Sequence, residues 1–434
     1  MPRRFLQRFA NIRREEVRPT LVAALFFFCV LTALMLLRPA REALGMQRGI
    51  ETIRWLFVGT VAVTLAVNPV FGWLVSRFRR LAFVSATYLF FAGGLVAFYA
   101  LLMFAPASVG EHSGQVFYVW FSVFNLFATM LFWALMADRF SLPQSKRLFG
   151  PIGVGGTLGA LFGPWLSSLL AAPLGTAALL PIAAGFLMLA LGAATWLMRL
   201  PEARDPARPE AQPLRAEHAA IGGSAWEGFG AVAKSPYLLA ICAYVLILAV
   251  MATFIYFTRL KLVAALGSDL DLRTTVFARI DMATQAATLL LQALVAGHLM
   301  KRLGTSVTLA LLPLTALLGF VGLAIVGSLA ALVAFEASFR AVQRGLMRPA
   351  RETLFTVVNR EDRYKAKAFI DTVVYRLGDL TGAQTEGLLA RLGMGLAALA
   401  AFALPLALVW MALGLWLGHA QKRRGTLQAE GAKA

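Results

Sequence analysis

The stretch FEASFRAVQRGLMRPAR, Phe335–Arg351, places ionisable residues directly after a long apolar run. Glu336, Arg340 and Arg344 recur at every fourth position, so on a helix they lie along one face. A charge at the centre of a membrane span costs roughly 3 kcal/mol on insertion scales, so we do not expect these groups to face lipid. They should instead face one another, a neighbouring helix or a wet cavity. The pattern predicts either a structural Glu–Arg ladder or a binding surface for an anion.

The composition around this stretch is that of a membrane protein. Of the 434 residues, 59% are hydrophobic and only 15% are charged, whereas about a quarter are charged in soluble proteins. Apolar runs of about 20 residues, long enough to cross the hydrocarbon core, recur from Leu21 to Gly418. The net charge of +19 is explained by Arg and Lys in cytoplasmic loops, so it does not indicate nucleic-acid binding. We therefore predict an all-α protein embedded in the lipid bilayer.

Twelve membrane spans are predicted, with a proline-rich charged linker after the sixth. They cover roughly 19–44, 53–75, 81–105, 115–137, 148–171, 175–199, 237–262, 274–300, 305–327, 329–347, 366–390 and 394–418. The expected domains are a six-helix bundle over residues 1–200, a cytoplasmic linker over 201–235 and a second six-helix bundle over 236–434. The basic loops all lie on one side of this arrangement, which places both termini in the cytoplasm. The first span is interpreted as an uncleaved anchor.

The two halves of the chain repeat weakly, and the repeat includes the opening stretch. Phe124–Arg139 aligns with Phe335–Arg351 without gaps as far as Leu-Met. The register pairs neutral with ionisable residues: Asn125 with Glu336, Thr129 with Arg340, and Trp133 with Arg344. Two related six-helix halves with a site near the membrane midplane are typical of secondary transporters. Because the N-terminal copy is neutral, packing alone does not require the charges of the C-terminal copy.

Short basic turns follow the second and eighth spans, GWLVSRF at Gly72–Phe78 and GHLMKRL at Gly297–Leu303. Their Gly-x-Leu-x-x-Arg pattern resembles the loop motif of the major facilitator superfamily, without its usual acidic residue. The resemblance implies two pseudo-symmetric six-helix bundles. It also implies a gating role for the residues of the motif: Gly72, Arg77, Gly297 and Arg302.

Within that superfamily, four stretches resemble the nucleotide exchange group, the ATP/ADP translocase-like proteins and their bacterial relatives. They are LLRPAREALG at Leu36–Gly45, VFNLFATMLFWALMADRF at Val123–Phe140, SKRLFGPIGVGGTLGALFGP at Ser145–Pro164, and KAKAFIDTVVYRLGD at Lys365–Asp379. The resemblance implies a transporter whose first span carries cationic groups near the substrate. This chain has Ser122 where the ATP/ADP exchangers carry an acidic residue, so ATP/ADP exchange itself is not implied.

Polar residues on several spans are predicted to line a central cavity. For those at helix ends, Arg38, Arg41, Arg259 and Lys261, the alternative is snorkelling to the membrane interface. For those on polar stripes, the alternative is interhelical hydrogen bonding, and Arg376 and Asp379 could simply pair. The complete predicted substrate-binding set is Arg38, Arg41, Asn125, Lys261, Asp281, Gln285, Glu336, Arg340, Arg344, Tyr375, Arg376 and Asp379.

Glycines on the fifth span form a separate pattern. Gly155, Gly159 and Gly163 recur at four-residue spacing, which gives one helix face without side chains. Such a face lets a neighbouring helix approach closely. It is not a phosphate-binding loop, because no strand precedes it and no Gly-Lys-Ser/Thr follows. We predict a packing surface.

These patterns favour a secondary antiporter of an organic anion, nucleotide-like or phosphorylated, in the inner membrane of a bacterium. A proton-coupled transporter is the alternative, with Glu336 or Asp379 carrying the proton. A membrane scaffold or sensor that does not transport is an alternative of another class. An enzyme is not indicated, because the sequence shows no nucleophile–base pair, and the histidines have no metal-ligand spacing. We predict no cofactor and no metal site.

Overall fold

A computed structural model describes residues 13–77, 80–201, 230, 232–294, 296–359, 362, 366–367 and 369–431. In these ranges, a helix occupies each of the twelve predicted spans. The helices are α1 Val17–Gly45, α2 Ile50–Arg77, α3 Arg80–Phe104, α4 Ala107–Arg139, α5 Leu142–Leu174, α6 Leu179–Arg199, α7 Pro236–Ala264, α8 Leu270–Leu294, α9 Ala296–Val326, α10 Leu329–Leu354, α11 Ile370–Arg391 and α12 Leu396–Gly431.

Two of these helices contain π-turns and one contains a break. α10 is α-helical over Leu329–Val342, has a π-turn at Gln343–Met347 and ends with Arg348–Leu354. α11 opens with a π-turn at Ile370–Val374. In α9, Gly304 has a φ of 69°, so the backbone turns there and the true ninth span follows it. The left-handed conformation requires glycine at this turn.

Local sequence signals explain where the helices of the second half begin. Ser235 precedes α7, and its hydroxyl accepts a hydrogen bond from the backbone N–H of Leu238. Ser328 caps α10 in the same way through the N–H of Ala331. Serine is a favourable N-cap because its side chain satisfies an N–H that has no partner within the helix.

Length and hydropathy separate the helices into two groups. Among the described residues, nine helices are long enough and apolar enough to cross a membrane. The three that fall short of this standard are α8, α10 and α11. These helices carry most of the predicted polar residues, so their lower hydropathy reflects groups that must be sheltered from lipid.

The chain packs as two compact units. The first contains α1 to α6 together with Leu266–Met282, and the second contains α7 and the described chain from Ala283 onward. α8 therefore contributes its first part to one unit and its second part to the other.

In the first unit, α1 packs against α4, α5 and α6. The glycine face of α5 makes the closest of these contacts. A β-carbon at Gly155 would lie 2.1 Å from the carbonyl oxygen of Ala24, and one at Gly159 would lie 2.3 Å from that of Phe28. No side chain fits at such distances, so the predicted packing surface is confirmed.

In the second unit, α7 packs against α11 and α12, and α9 packs against α10 and α12. Glycines again allow one pair of helices to approach closely. A β-carbon at Gly378 of α11 would lie 2.5 Å from the β-carbon of Ala249, and one at Gly382 would lie 2.9 Å from that of Thr253. The α1–α5 and α7–α11 pairs are thus equivalent contacts in the two repeats.

Candidate functional site

A cavity of about 400 Å³ lies beside α10 in the second unit. Leu248 of α7 and Asp371 and Tyr375 of α11 form part of its wall. The rest comes from six residues of α10: Arg340, Gln343, Arg344, Met347, Arg348 and Arg351. The cavity wall therefore contains four guanidinium groups and one carboxylate.

The four arginines follow one side of α10 because of their spacing. Arg340, Arg344 and Arg348 are four residues apart, and Arg351 follows three residues later. At 1.5 Å per residue they extend over roughly 16 Å of the helix axis. The π-turn of α10 lies within this stretch, and the π-turn of α11 supplies Asp371 to the same cavity. Single π-turns inside α-helices frequently occur at functional sites.

Glu336 lies one turn before the cavity and contacts two guanidinium groups. Its Oε1 atom is 3.4 Å from Nη1 of Arg259 on α7 and 3.5 Å from Nη2 of Arg340. Arg259 is completely buried and Glu336 is 1% exposed, whereas the side chain of Arg340 is 19% exposed. Arg340 therefore connects a buried ion pair to the wall of the cavity.

Of the predicted Glu–Arg ladder, the structure shows the pair between Glu336 and Arg340. Glu336 and Arg340 pair as the spacing indicated, but Arg344 donates a hydrogen bond to the side-chain oxygen of Gln285 on α8. The structure thus joins two residues of the predicted set, Arg344 and Gln285, through a helix–helix contact. The π-turn begins between Arg340 and Arg344, which changes the register of the helix at this point.

The sequence-based prediction omitted three arginines that the structure brings to this region, and it also omitted Asp371 of the cavity wall. Arg259 was weighed as an interfacial residue, yet it is buried against Glu336. Arg348 and Arg351 belong to the opening stretch, and both line the cavity. The signal for Arg259 was available: an arginine inside a long apolar helix is functional by default. The signal for Arg348 and Arg351 was their position on the same face as Arg340 and Arg344.

Three further predicted residues form ion pairs and do not line the cavity. Arg376 donates to Asp379 at 3.1 Å on α11. Lys261 of α7 pairs with Glu386, whose side chain is 1% exposed. Pairing was the structural alternative for Arg376 and Asp379, and in both pairs the carboxylate is the more buried partner, so the cation offsets the cost of burying it.

The predicted residues of α1 belong to the first unit. Arg38 lies 3.6 Å from Asp281 of α8, so the structure brings these two predicted residues together. Arg41 has a different environment: its guanidinium stacks 3.7 Å from the centre of the Tyr118 ring and pairs with Glu42 at 2.9 Å. It also donates hydrogen bonds to the Tyr118 carbonyl and the Ser122 hydroxyl. These contacts favour a structural anchor between α1 and α4.

The remaining predicted residues are Asn125 and those of the loop motif. Asn125 of α4 is exposed and does not line the cavity of the second unit. The loop-motif residues Gly72, Arg77, Gly297 and Arg302 have helical backbones, but their side chains lie outside the described part of the structure.

A second ionic cluster follows the predicted end of the tenth span at residue 347. Arg351 lies 3.3 Å from Glu352 and 3.2 Å from Asp371, and Lys367 pairs with Glu352. Burial raises the pKa of the Glu352 carboxyl, but hydrogen bonds and positive charge from Lys367 and Arg351 outweigh this effect and lower it from its ordinary value of 4.5. The cluster ties the end of α10 to the start of α11 beside the cavity.

The described helices are those of a polytopic helical membrane protein, and its second unit contains a charged cavity. The chain matches the family model described as the Major Facilitator Superfamily over residues 20–343. This match covers more than half of the sequence, and the chain belongs to that superfamily. No curated protein matches the chain significantly.

Solved structures of transporters share the fold at low sequence identity. A POT family transporter in complex with a thioalcohol-conjugated peptide has a TM-score of 0.62 at 10% identity, over 93% of this chain and 96% of that one. A mutant of the nucleoside transporter NupG has a TM-score of 0.60 at 11% identity, over 94% and 99%. A bacterial homolog of the human lysosomal transporter Spinster has a TM-score of 0.56 at 12% identity, over 95% and 99%. These likenesses show the fold alone, and it is the superfamily match that indicates a transporter rather than an enzyme.

Proposed function

We propose that this protein is a secondary antiporter of an organic anion, nucleotide-like or phosphorylated, in the inner membrane of a bacterium. One observation carries the proposal: four arginines and one aspartate line the cavity of the second unit. Guanidinium groups bind carboxylate and phosphate oxygens through two parallel hydrogen bonds, so a row of them favours an anion with several oxygens. The formal charge of the lining, +4 from arginine and −1 from Asp371, leaves a surplus of three positive charges.

The charge of the lining also supports exchange over one-way transport. A transporter alternates access by moving its site from one side of the membrane to the other. Enclosing uncompensated positive charge in a low-dielectric interior is unfavourable, and a bound anion offsets that cost. The loaded carrier is therefore expected to reorient more readily than the empty one, which is the condition for exchange.

The proposal includes the topology predicted from the basic loops. The domains are a first bundle over residues 1–200, a linker over 201–235 and a second bundle over 236–434, with both termini in the cytoplasm. Cysteine accessibility in spheroplasts tests this arrangement. Labels introduced at the linker and at both termini should react only after the membrane is opened, and labelling of intact spheroplasts would contradict it.

Counterflow in proteoliposomes tests the proposed activity. The purified protein is reconstituted with an unlabelled anion inside, and uptake of the labelled anion is measured with and without that internal load. The panel contains nucleotides, sugar phosphates and carboxylates. Nucleosides and peptides are added because one structural neighbour is described as a nucleoside transporter and another is in complex with a peptide conjugate. We expect uptake of a phosphorylated anion that depends on internal load.

A matched pair of variants connects the activity to the cavity. Arg348→Gln removes a cavity arginine that has no ion-pair or hydrogen-bond partner among the described residues. Arg423→Gln removes an exposed arginine near the C-terminus and serves as the control. Loss of exchange in the first variant alone supports the proposal. An active wild-type protein with equal rates in both variants would place the binding site elsewhere, and no exchange with any anion would contradict the proposed function.

Proton-coupled transport of another small solute is the second candidate. Its supporting observation is that ionisable carboxylates lie near the cavity within the apolar interior, Glu336 on α10 and Asp379 on α11. Carboxylates within membrane spans often belong to proton relays. Uptake that collapses with the pH gradient at a fixed solute concentration would favour this candidate over exchange.

A further inference from the structure

We infer that Arg259 is a positioning residue that holds Glu336 as a permanent anion, so that the transported anion moves without a proton. The inference rests on the proposed function and concerns the coupling of the same site. It begins with an arrangement of three charges: Glu336 lies between Arg259 and Arg340, and both guanidinium groups approach the same carboxylate oxygen.

The two arginines differ in their exposure, which assigns them different roles. Arg259 is completely buried and is absent from the cavity wall, so it cannot contact a substrate there. Arg340 lines the cavity and keeps 19% of its side chain exposed. Arg340 can therefore change partners between Glu336 and a bound anion, whereas Arg259 stays with Glu336.

The contact distances fit such an exchange of partners. Charge-assisted hydrogen bonds between a guanidinium and a carboxylate are usually about 2.8 Å long. The contacts of Glu336 are 3.4 Å to Arg259 and 3.5 Å to Arg340, and both use Oε1. Its Oε2 atom is buried and accepts no hydrogen bond from the described residues. Glu336 is thus held by charge more than by tight hydrogen bonds, so the release of Arg340 breaks no strong bond.

Within the described ranges, Arg259 and Arg340 are the cations that pair with Glu336. α9 packs against α10 and carries no ionisable residue between Thr305 and Val326. α7 carries Lys261 in addition to Arg259, and that lysine pairs with Glu386. On α11, Arg376 pairs with Asp379. When a substrate occupies Arg340, only Arg259 remains against Glu336, and a buried carboxylate without a cation takes up a proton.

The consequence is a specific coupling. With Arg259 present, Glu336 is neutralised by a fixed cation throughout the cycle, so exchange of one anion for another moves no proton. Without Arg259, Glu336 must take up a proton each time Arg340 engages the substrate and must release it when Arg340 returns. A single arginine outside the cavity would then decide between anion exchange and proton-coupled transport.

Anion counterflow with a pH dye enclosed in the proteoliposomes tests the inference. For the wild-type protein we expect exchange without a change of internal pH and a rate that varies less than about twofold between pH 6 and pH 8. For Arg259→Met we expect a proton to accompany the anion and the rate to change by up to about tenfold for each pH unit over that range, because one unit of pKa corresponds to a factor of ten. Arg259→Lys should restore the flat profile, as should the double variant Arg259→Met/Glu336→Gln.

Two outcomes overturn the inference: acidification coupled to wild-type exchange, or a flat pH profile in an Arg259→Met protein that still exchanges anions. If Arg259→Met does not fold, Glu336→Gln decides. The Glu336 carboxylate competes with the substrate for Arg340. Its removal should therefore lower the KM for the anion several-fold, and an unchanged or higher KM contradicts the inference.

A spectroscopic measurement separates failure of this inference from failure of the proposed function. Infrared difference spectra between high and low pH report a protonated carboxyl group without requiring transport. The band of protonated Glu336 should be present in Arg259→Met and should disappear in the double variant Arg259→Met/Glu336→Gln. It should be absent from the wild-type protein. Its presence in the wild-type protein contradicts the inference, even if no transported anion is found in the counterflow panel.

Discussion

α4 and α10 occupy equivalent positions in the two repeats, but one is apolar and the other is charged. In α4, Trp133 packs against aromatic rings, with centroid distances of 5.1 Å to Phe132, 5.3 Å to Phe149 and 5.4 Å to Phe27. In α10, the equivalent position is Arg344, which lines the cavity and donates to Gln285.

The backbones of the two helices differ in the same way. α4 is a regular α-helix from Ala107 to Arg139, while α10 contains a π-turn at the level of the arginines. The scaffold contacts, by contrast, are alike: glycines bring α5 onto α1 in the first unit and α11 onto α7 in the second. The fold is therefore common to both repeats, and the charged site is an addition to one of them.

The largest expected effect is on transport and separates α10 from α4. Arg344→Gln should lower kcat/KM for anion exchange by about 100-fold, since a charge-assisted hydrogen bond in a desolvated site contributes up to about 3 kcal/mol. Trp133→Phe, at the equivalent position of α4, should change it by less than about threefold. Counterflow rates at several anion concentrations give both values. Equal losses in the two variants would show that the repeats share the site.

The second effect is on stability and should be the same in both units. Gly155→Ala and Gly378→Ala each place a β-carbon within 2.5 Å of atoms of a neighbouring helix. Overpacking of this kind costs about 1–3 kcal/mol, so both variants should unfold at a lower temperature. Gly153→Ala is the control on α5, because a β-carbon there meets nothing within 4 Å. Thermal unfolding in detergent measures all three, and a tolerated alanine at Gly155 would contradict the close α1–α5 contact.

The third prediction concerns the stability contributed by Arg41, which the structure shows in contact with α4. Arg41→Met should destabilise the protein by about 1–2 kcal/mol, because it removes a stacked guanidinium and its hydrogen bonds to α4. The KM for the anion should remain within about twofold of the wild-type value. A raised KM at unchanged stability would instead support the sequence-based prediction that Arg41 binds the substrate.

The smallest expected effect is the pH-dependent contribution of Glu352 to stability. Its pKa is lowered in the folded protein by Lys367 and Arg351, so the carboxylate stabilises the fold above its ordinary pKa of 4.5. That contribution is lost as the pH falls through the lowered value. Because the pair is partly exposed, Glu352→Gln should cost less than about 1 kcal/mol at pH 7. The unfolding temperatures of the wild-type protein and Glu352→Gln should become equal in acid. A difference that persists or grows there would contradict the assignment of the stabilisation to the ion pair.

Much of the fold could be predicted from the sequence because bilayer thickness fixes the length of each apolar segment. Each predicted span contains a helix, and the glycine face of α5 packs as its spacing indicated. The site was harder to predict because spacing alone does not reveal a π-turn or a partner on another helix. Arg344 pairs with Gln285 rather than extending the ladder. Arg259, treated as a residue at a helix end, lies in the buried interior against Glu336.

The most direct test of the arginine cavity is anion binding by isothermal titration calorimetry. The probe is the anion that gives the fastest counterflow, titrated into the wild-type protein, Arg348→Gln and the control Arg423→Gln. If the cavity binds the transported anion, Arg348→Gln should raise Kd at least about tenfold, equal to about 1.4 kcal/mol, while the control binds as the wild-type protein does. Equal affinity in all three proteins would contradict the assignment of the site to α10.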